Sequence, residues 1–153
     1  MEIVYVESSV ISYITAKPSR DVVVSARQAL TIEWWESKRS KYDIYISELV
    51  IEEISSGDSN AAQKRLDIVK EITSLEITLV AKTLADSLLF ENAVPENSPE
   101  DALHIGLAAA HGADYLLTWN FKHINNASMR AKITRIIENH GFISPILCSP
   151  EEL

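Results

Sequence analysis

Apolar residues fall along this chain in two alternating rhythms. Five short runs, Ile3–Val6, Ile44–Ile46, Leu75–Ile77, Tyr115–Thr118 and Pro145–Leu147, have the length and uninterrupted apolar character of strands buried on both faces of a parallel sheet. Between them the polar and apolar positions follow a helical period. They predict a first short helix before Lys17, a long one from Ser19 to about Lys41, and further helices over Glu48–Ser55, Ala61–Ile72, Ala81–Asn92, Pro99–His111 and Ala127–His140. Strands separated by helices of this size imply right-handed βαβ crossovers. The predicted fold class is therefore α/β, a three-layer sandwich around a central, mostly parallel sheet. No linker-like, low-complexity or repeated stretch interrupts the pattern, so residues 1–153 are expected to form a single domain.

Composition narrows this picture. A chain of 153 residues buries roughly 70% of its unfolded surface, and 46% hydrophobic content with four glycines and five prolines argues against disorder. The single cysteine, Cys148, builds neither a disulfide nor a thiolate zinc site, and makes a reducing, cytoplasmic compartment the expectation. No window holds the ~18 consecutive apolar residues of a membrane span. A net charge of −8 disfavours coating nucleic acid by bulk electrostatics, although a local basic patch remains compatible with it.

Open parallel sheets bind ligands outside the carboxyl ends of their strands, and several polar residues fall there. Glu7 ends the first strand; Thr118, Trp119 and Asn120 leave a later one; "ISELVIEEI" delivers Glu48, Glu52 and Glu53 on a helix. In "NSPEDALHIGLAAAHG" the expected N-cap is Ser98, Pro99 opens the helix, Glu100 and Asp101 fill its first turn, and Gly112 ends it. Each has a structural reading beside the chemical one. Asp101 suits a capping box, Glu52 or Glu53 a solvated helix face, and Asn120 a turn. Glu7 ends a strand headed for the core and must be hydrated, paired or bound to a cation. His104, His111, His123 and His140 lack the HExxH spacing of zinc proteases and read as surface or half-buried residues; His123, beside Lys122, is a conceivable substrate contact.

Together these segments resemble the PIN-domain ribonucleases, particularly the VapC-like toxins of type II toxin–antitoxin pairs. "VYVESSVISYI" is similar to the family's opening strand with its acid and hydroxyl pair, "ISELVIEEI" to its second acidic segment, and "DALHIGLAAAHGADYLLTWNFKHI" to its third and fourth. The resemblance implies that Glu7, Glu53 and Asp101 are the catalytic, metal-holding acids, with Glu52 the one-residue alternative to Glu53. Asn120 stands where the family commonly has a fourth aspartate, and Glu7 where it has its first. Ser9, Thr118, Lys122 and His123 are the implied substrate contacts. The cofactor implied is Mg²⁺ or Mn²⁺, hard cations that take oxygen ligands, generate a nucleophilic water and offset phosphoryl charge.

The resemblance further implies hydrolysis of RNA phosphodiesters, an antitoxin partner and a homodimer, with no membrane association. Lys17 and Arg20, or Lys38, Arg39 and Lys41, are expected to supply positive charge for RNA, the last three having a helix-terminus reading as well. Trp119 is a candidate for base stacking or for the core, while Trp34, Trp35, Tyr42 and Tyr45 suit packing or a dimer surface. A receiver domain is disfavoured because the first strand ends on Glu7–Ser8 and Leu75–Ile77 ends without an acid. No glycine-rich nucleotide-binding turn is present. The rival reading is a degenerate PIN domain that binds RNA or a protein without cutting.

Overall fold

The computed structural model describes residues 1–153. Five strands, β1 (Ile3–Val6), β2 (Asp43–Ser47), β3 (Thr73–Leu75), β4 (Tyr115–Leu117) and β5 (Ile146–Cys148), form one sheet in the order β3-β2-β1-β4-β5. Every pairing is parallel, with Val4 opposite both Ile44 and Tyr115. Seven α-helices connect and cover them: α1 (Ser8–Thr15), α2 (Val22–Glu33), α3 (Glu48–Ile54), α4 (Ser59–Val69), α5 (Leu79–Phe90), α6 (Pro99–Ala110) and α7 (Arg130–Asn139). Strand order runs outward from β1 to β3, then restarts on the other side of β1 with β4. The carboxyl ends of β1 and β4 consequently flank a topological switch point, where a parallel sheet opens a crevice.

The helices start where short polar side chains take up free backbone N–H groups. Asp21, Ser47, Asp58 and Thr78 accept from Val24, Val50, Ala61 and Ala81. Ser19 instead accepts from Asp21 N, so the second helix starts later than its sequence suggests. That helix also ends earlier, at Glu33, and continues as a π-turn over Trp34–Lys38 and a 3₁₀ turn over Arg39–Lys41. Adjacent residues on an α-helix diverge by about 100°, yet Trp34 and Trp35 are both buried, and the wider turn, closed by Arg39 N to Trp34 O, admits both indoles. The third strand lies two residues earlier than its apolar run, because Ile77 N is taken by the Glu48 side chain rather than by a neighbouring strand.

Helices α5 and α6 pack at close range through Gly106. A Cβ there would lie 2.4 Å from the carbonyl oxygen of Ala81, a backbone atom that cannot move without shifting α5. Gly106→Ala is therefore expected to destabilise the protein by about 2 kcal/mol, lowering Tm by roughly 4–8 °C in a thermal melt. A Tm within a degree of wild type would show that the two helices separate freely. Gly112, at φ +74°, follows α6 in the left-handed conformation that glycine adopts without strain. No helix is long and apolar enough to cross a membrane.

Candidate metal and nucleic-acid site

Glu7 follows β1 directly, and its side chain both caps α1 and enters the crevice. Oε2 accepts from Ser9 N (3.1 Å). Oε1 accepts from the hydroxyls of Ser9 (2.5 Å) and Thr118 (2.6 Å). Those hydroxyls are oriented in turn: Trp119 N donates to Ser9 Oγ and Asn120 N to Thr118 Oγ1, so each hydroxyl proton is turned onto the carboxylate. With Oε1 accepting two bonds and Oε2 only one, the remaining acceptor capacity lies on Oε2.

Glu53, on the second turn of α3, is constrained in the same way. Its Oε1 accepts from Ser8 Oγ (2.6 Å) and pairs with His104 Nε2 (2.6 Å), while Oε2 has no protein partner. Glu52 is exposed, which separates the two neighbouring acids by geometry. His104, on α6, is fully buried and uses both ring nitrogens, Nδ1 lying 2.7 Å from Tyr5 Oη. Tyr5 Oη lies 2.7 Å from Ser47 Oγ, whose oxygen also accepts from Val50 N. A hydrogen-bonded chain thus runs from the start of α3 through β1 and α6 back to Glu53. The expectation that His104 is a surface or half-buried residue is corrected here. Its only sequence signal is a polar residue set into the apolar stripe of "DALHIGLAAA", three positions after Asp101 and so on the same helix face.

Burial pushes the Glu53 carboxyl up, but the His104 hydrogen bond and charge, with the Ser8 hydroxyl, outweigh it and hold it below the ordinary 4.5. Burial pushes His104 down, but the bond to Glu53 and the charges of Glu7, Glu53 and Asp101 outweigh it and raise the imidazole above 6.5. Burial keeps the Tyr5 phenol well above 10, so it retains its proton. The linkage has a defined sign. The depressed acid contributes stability above about pH 4.5 and loses it as pH falls through the lower folded value. The raised imidazole contributes fully below about pH 6.5 and loses it as pH rises through the higher folded value. Metal-free protein is expected to draw most from this pair between about pH 4.5 and 6.5. His104→Gln should flatten the alkaline limb of a Tm–pH curve measured in EDTA, and an unchanged limb would place its origin elsewhere.

Ligand atoms of Glu7, Glu53 and His104 lie within 4.8 Å of one another. The donor set suits a divalent cation: Glu53 Oε2 has no protein partner, Glu7 Oε2 accepts only from Ser9 N, and an ion using one or two carboxylates plus waters is the usual magnesium arrangement. The imidazole is committed to Glu53 through Nε2, which makes it the support of that carboxylate rather than a free ligand.

Asp101 lies outside this trio. Its Oδ1 accepts from Asn120 Nδ2 (3.2 Å) and its Oδ2 lies 2.9 Å from His123 Nδ1. Asn120 Oδ1 accepts from His123 N, so both ends of that amide are engaged in the turn after β4. Asp101 does not close a capping box: Ser98 has no side-chain cap bond and its hydroxyl lies 3.1 Å from His123 Nδ1. Asp101 is thus hydrogen-bonded to Asn120 and His123, while its charge also acts on the His104 that holds Glu53. The neutral amide at 120 donates to Asp101, where a second carboxylate would repel it.

Of the remaining expected contacts, the Ser9 and Thr118 hydroxyls are spent on Glu7, and Lys122 is exposed and unpaired. Trp119 is a core residue, buried, donating to Thr31 Oγ1 and packed beside Tyr13; base stacking on it is not available. Lys38, Arg39 and Lys41 lead into the amino end of β2, the edge opposite the crevice, and Arg39 covers the Trp35 ring. Burial pushes the Cys148 thiol up to about 12, which keeps it protonated and unreactive.

No protein-family model matches the sequence, and no curated protein matches it. Solved structures do. VapC20 of Mycobacterium tuberculosis, described as a sarcin–ricin loop cleaving toxin, superposes with a TM-score of 0.60 at 15% identity, covering 92% of this chain and 96% of that one. VapBC2 from Rickettsia felis, solved bound to a DNA fragment from its promoter, gives a TM-score of 0.54 at 18% identity, covering 96% of this chain and 98% of that one. The chain therefore has the PIN-like α/β fold of VapC toxins along almost its whole length.

Proposed function

We propose that the protein is a divalent-metal-dependent ribonuclease of the PIN type, a toxin held in check by an antitoxin. The observation that carries this reading is the convergence of Glu7 and Glu53 at the switch point, each with Oε1 fixed by hydroxyl or imidazole partners and with acceptor capacity left on Oε2, which is unpartnered in Glu53 and bonded only to Ser9 N in Glu7. A shared fold does not assign an activity; the two adjacent carboxylates supply the chemistry. A bound Mg²⁺ or Mn²⁺ supplies a water of lowered pKa and offsets charge on the phosphoryl oxygens. Glu7 and Glu53 would hold it, Ser8, Ser9, Thr118 and His104 orient those carboxylates, and Asp101 is held by Asn120 and His123. Cytoplasmic residence and a homodimer belong to the same proposal.

The test is incubation of purified protein with labelled single-stranded RNA and Mn²⁺, beside Glu53→Gln and Asp101→Asn. Cleavage by wild type that is lost in Glu53→Gln supports hydrolysis. Retention of RNA with no cleavage by wild type supports the rival binder, which the neutral Asn120 and the His123-paired Asp101 favour. Equal cleavage by all three indicates a contaminating nuclease.

Asn120→Asp would set a second carboxylate about 3 Å from Asp101. In EDTA it is expected to lower Tm by several degrees through like-charge repulsion, and Mn²⁺ is expected to restore the loss. Melts in both conditions check this, and a drop that Mn²⁺ does not reverse would exclude Asn120 from the metal's surroundings.

A further inference from the structure

A cavity of about 590 Å³ lies between the end of α1 and the start of α4, lined by Ser12, Thr15, Lys17, Asn60, Lys64 and Arg65, with Asp58 and two alanines. Its polar chemistry is one-sided. Lys17 and Lys64 are exposed and pair with no carboxylate. The Ser12 hydroxyl and the Asn60 amide have no protein partner. Arg65, which lines the cavity, is anchored by Nε and one terminal nitrogen to the carbonyls of Ile54 and Ser56, which leaves its other nitrogen without a protein partner. The one acid, Asp58, already accepts from Ala61 N. Unfilled donors gathered in a protein of net charge −8 call for a ligand rich in acceptors and negative charge.

The position of the cavity narrows the ligand. Ser8, Ser12 and Thr15 recur at helical spacing along one face of α1. Ser8 bonds Glu53, and Thr15 stands about 10 Å further on at 1.5 Å per residue. Arg65 grips the backbone immediately after Glu53. The donor-lined cavity thus lies at the far end of the helix whose first residue bonds Glu53. We infer that it is the track for the phosphodiester backbone of single-stranded RNA flanking the scissile phosphate, with Lys17 and Lys64 on phosphate oxygens. This rests on the ribonuclease reading and adds to it the residues that hold the strand.

The test is fluorescence anisotropy of labelled single-stranded RNA in EDTA, where binding is read without hydrolysis, as a function of salt. Lys17→Glu/Lys64→Glu is expected to weaken binding at least about tenfold and to reduce the salt slope by about 1.4, at about 0.7 per phosphate contact on a single strand. Lys38→Glu/Lys41→Glu, with the same change in net charge at the opposite edge, should weaken it far less. Unaltered Tm and Mn²⁺ affinity in the first variant would show that fold and acidic cluster are intact. Equal weakening by both variants, wild-type binding in the Lys17/Lys64 variant, or displacement of RNA by polyglutamate at equal charge would overturn the track. If wild type cuts no RNA in Mn²⁺, hydrolysis is retired, whereas the EDTA measurement still decides the track. If the Lys17/Lys64 variant cuts with unchanged KM, the track falls and hydrolysis stands.

Discussion

Alanine at position 104 is expected to lower Tm by roughly 6–12 °C and to weaken Mn²⁺ binding by about 10–100-fold. His104 touches neither solvent nor, in this account, the ion. Its removal opens a cavity in the core and takes one of two hydrogen-bond partners from Tyr5 Oη and from Glu53 Oε1, a loss of about 3 kcal/mol at 2–4 °C per kcal/mol for a chain of this size. The metal effect has a separate origin. Groups that hold a ligand in place commonly change affinity by one or two orders of magnitude when removed, and His104 is what fixes Glu53 Oε1 so that Oε2 faces the crevice. His104→Gln separates the two roles, since its amide can donate to Glu53 but leaves Tyr5 with Ser47 alone. It should recover most of the Mn²⁺ affinity while recovering less of the Tm. A glutamine variant that regains stability without affinity would reduce His104 to a packing residue.

Glu53→Gln is expected to reduce RNA cleavage by about a thousandfold or more, several kcal/mol of transition-state stabilisation at 1.36 kcal/mol per tenfold. Metal-free stability should fall as well. Three acids in one crevice, viewed from sequence, predict that removing one relieves repulsion and leaves Tm level or higher. In the structure the repulsion is already offset, because Glu53 pairs with His104 while Glu7 takes three hydrogen bonds from Ser9 and Thr118. A neutral amide at 53 keeps the shape but weakens the bond to the buried imidazole. Melting in EDTA reads the stability half of this prediction; a Tm above wild type would restore the repulsion argument.

Much of this was legible in the sequence because it depended on local signals. The alternation of apolar runs with helical periods announces the parallel sheet, and an acid directly after Ile3–Val6 announces a crevice residue, since its neighbours are buried strand positions. What escaped was set by distant contacts. The edge strand could not be positioned by its apolar run, because Glu48, far away in the chain, captures Ile77 N. The break after Glu33 follows from burying two consecutive indoles. His104 went unassigned because nothing nearby in sequence shows that Tyr5 and Glu53 arrive on its two sides. The hydrogen bonds of Asp101 were not legible for a related reason: Asn120 and His123 fold back onto it in the turn after β4, a geometry no spacing rule contains.

The most direct test of the account is the anomalous difference map from a crystal soaked in Mn²⁺. One strong peak is predicted between Glu7 Oε2 and Glu53 Oε2, with Oε1 of each still held by its hydroxyl and imidazole partners. A well-soaked crystal with no peak there, or with its principal peak on Asp101 and Asn120 instead, would contradict it.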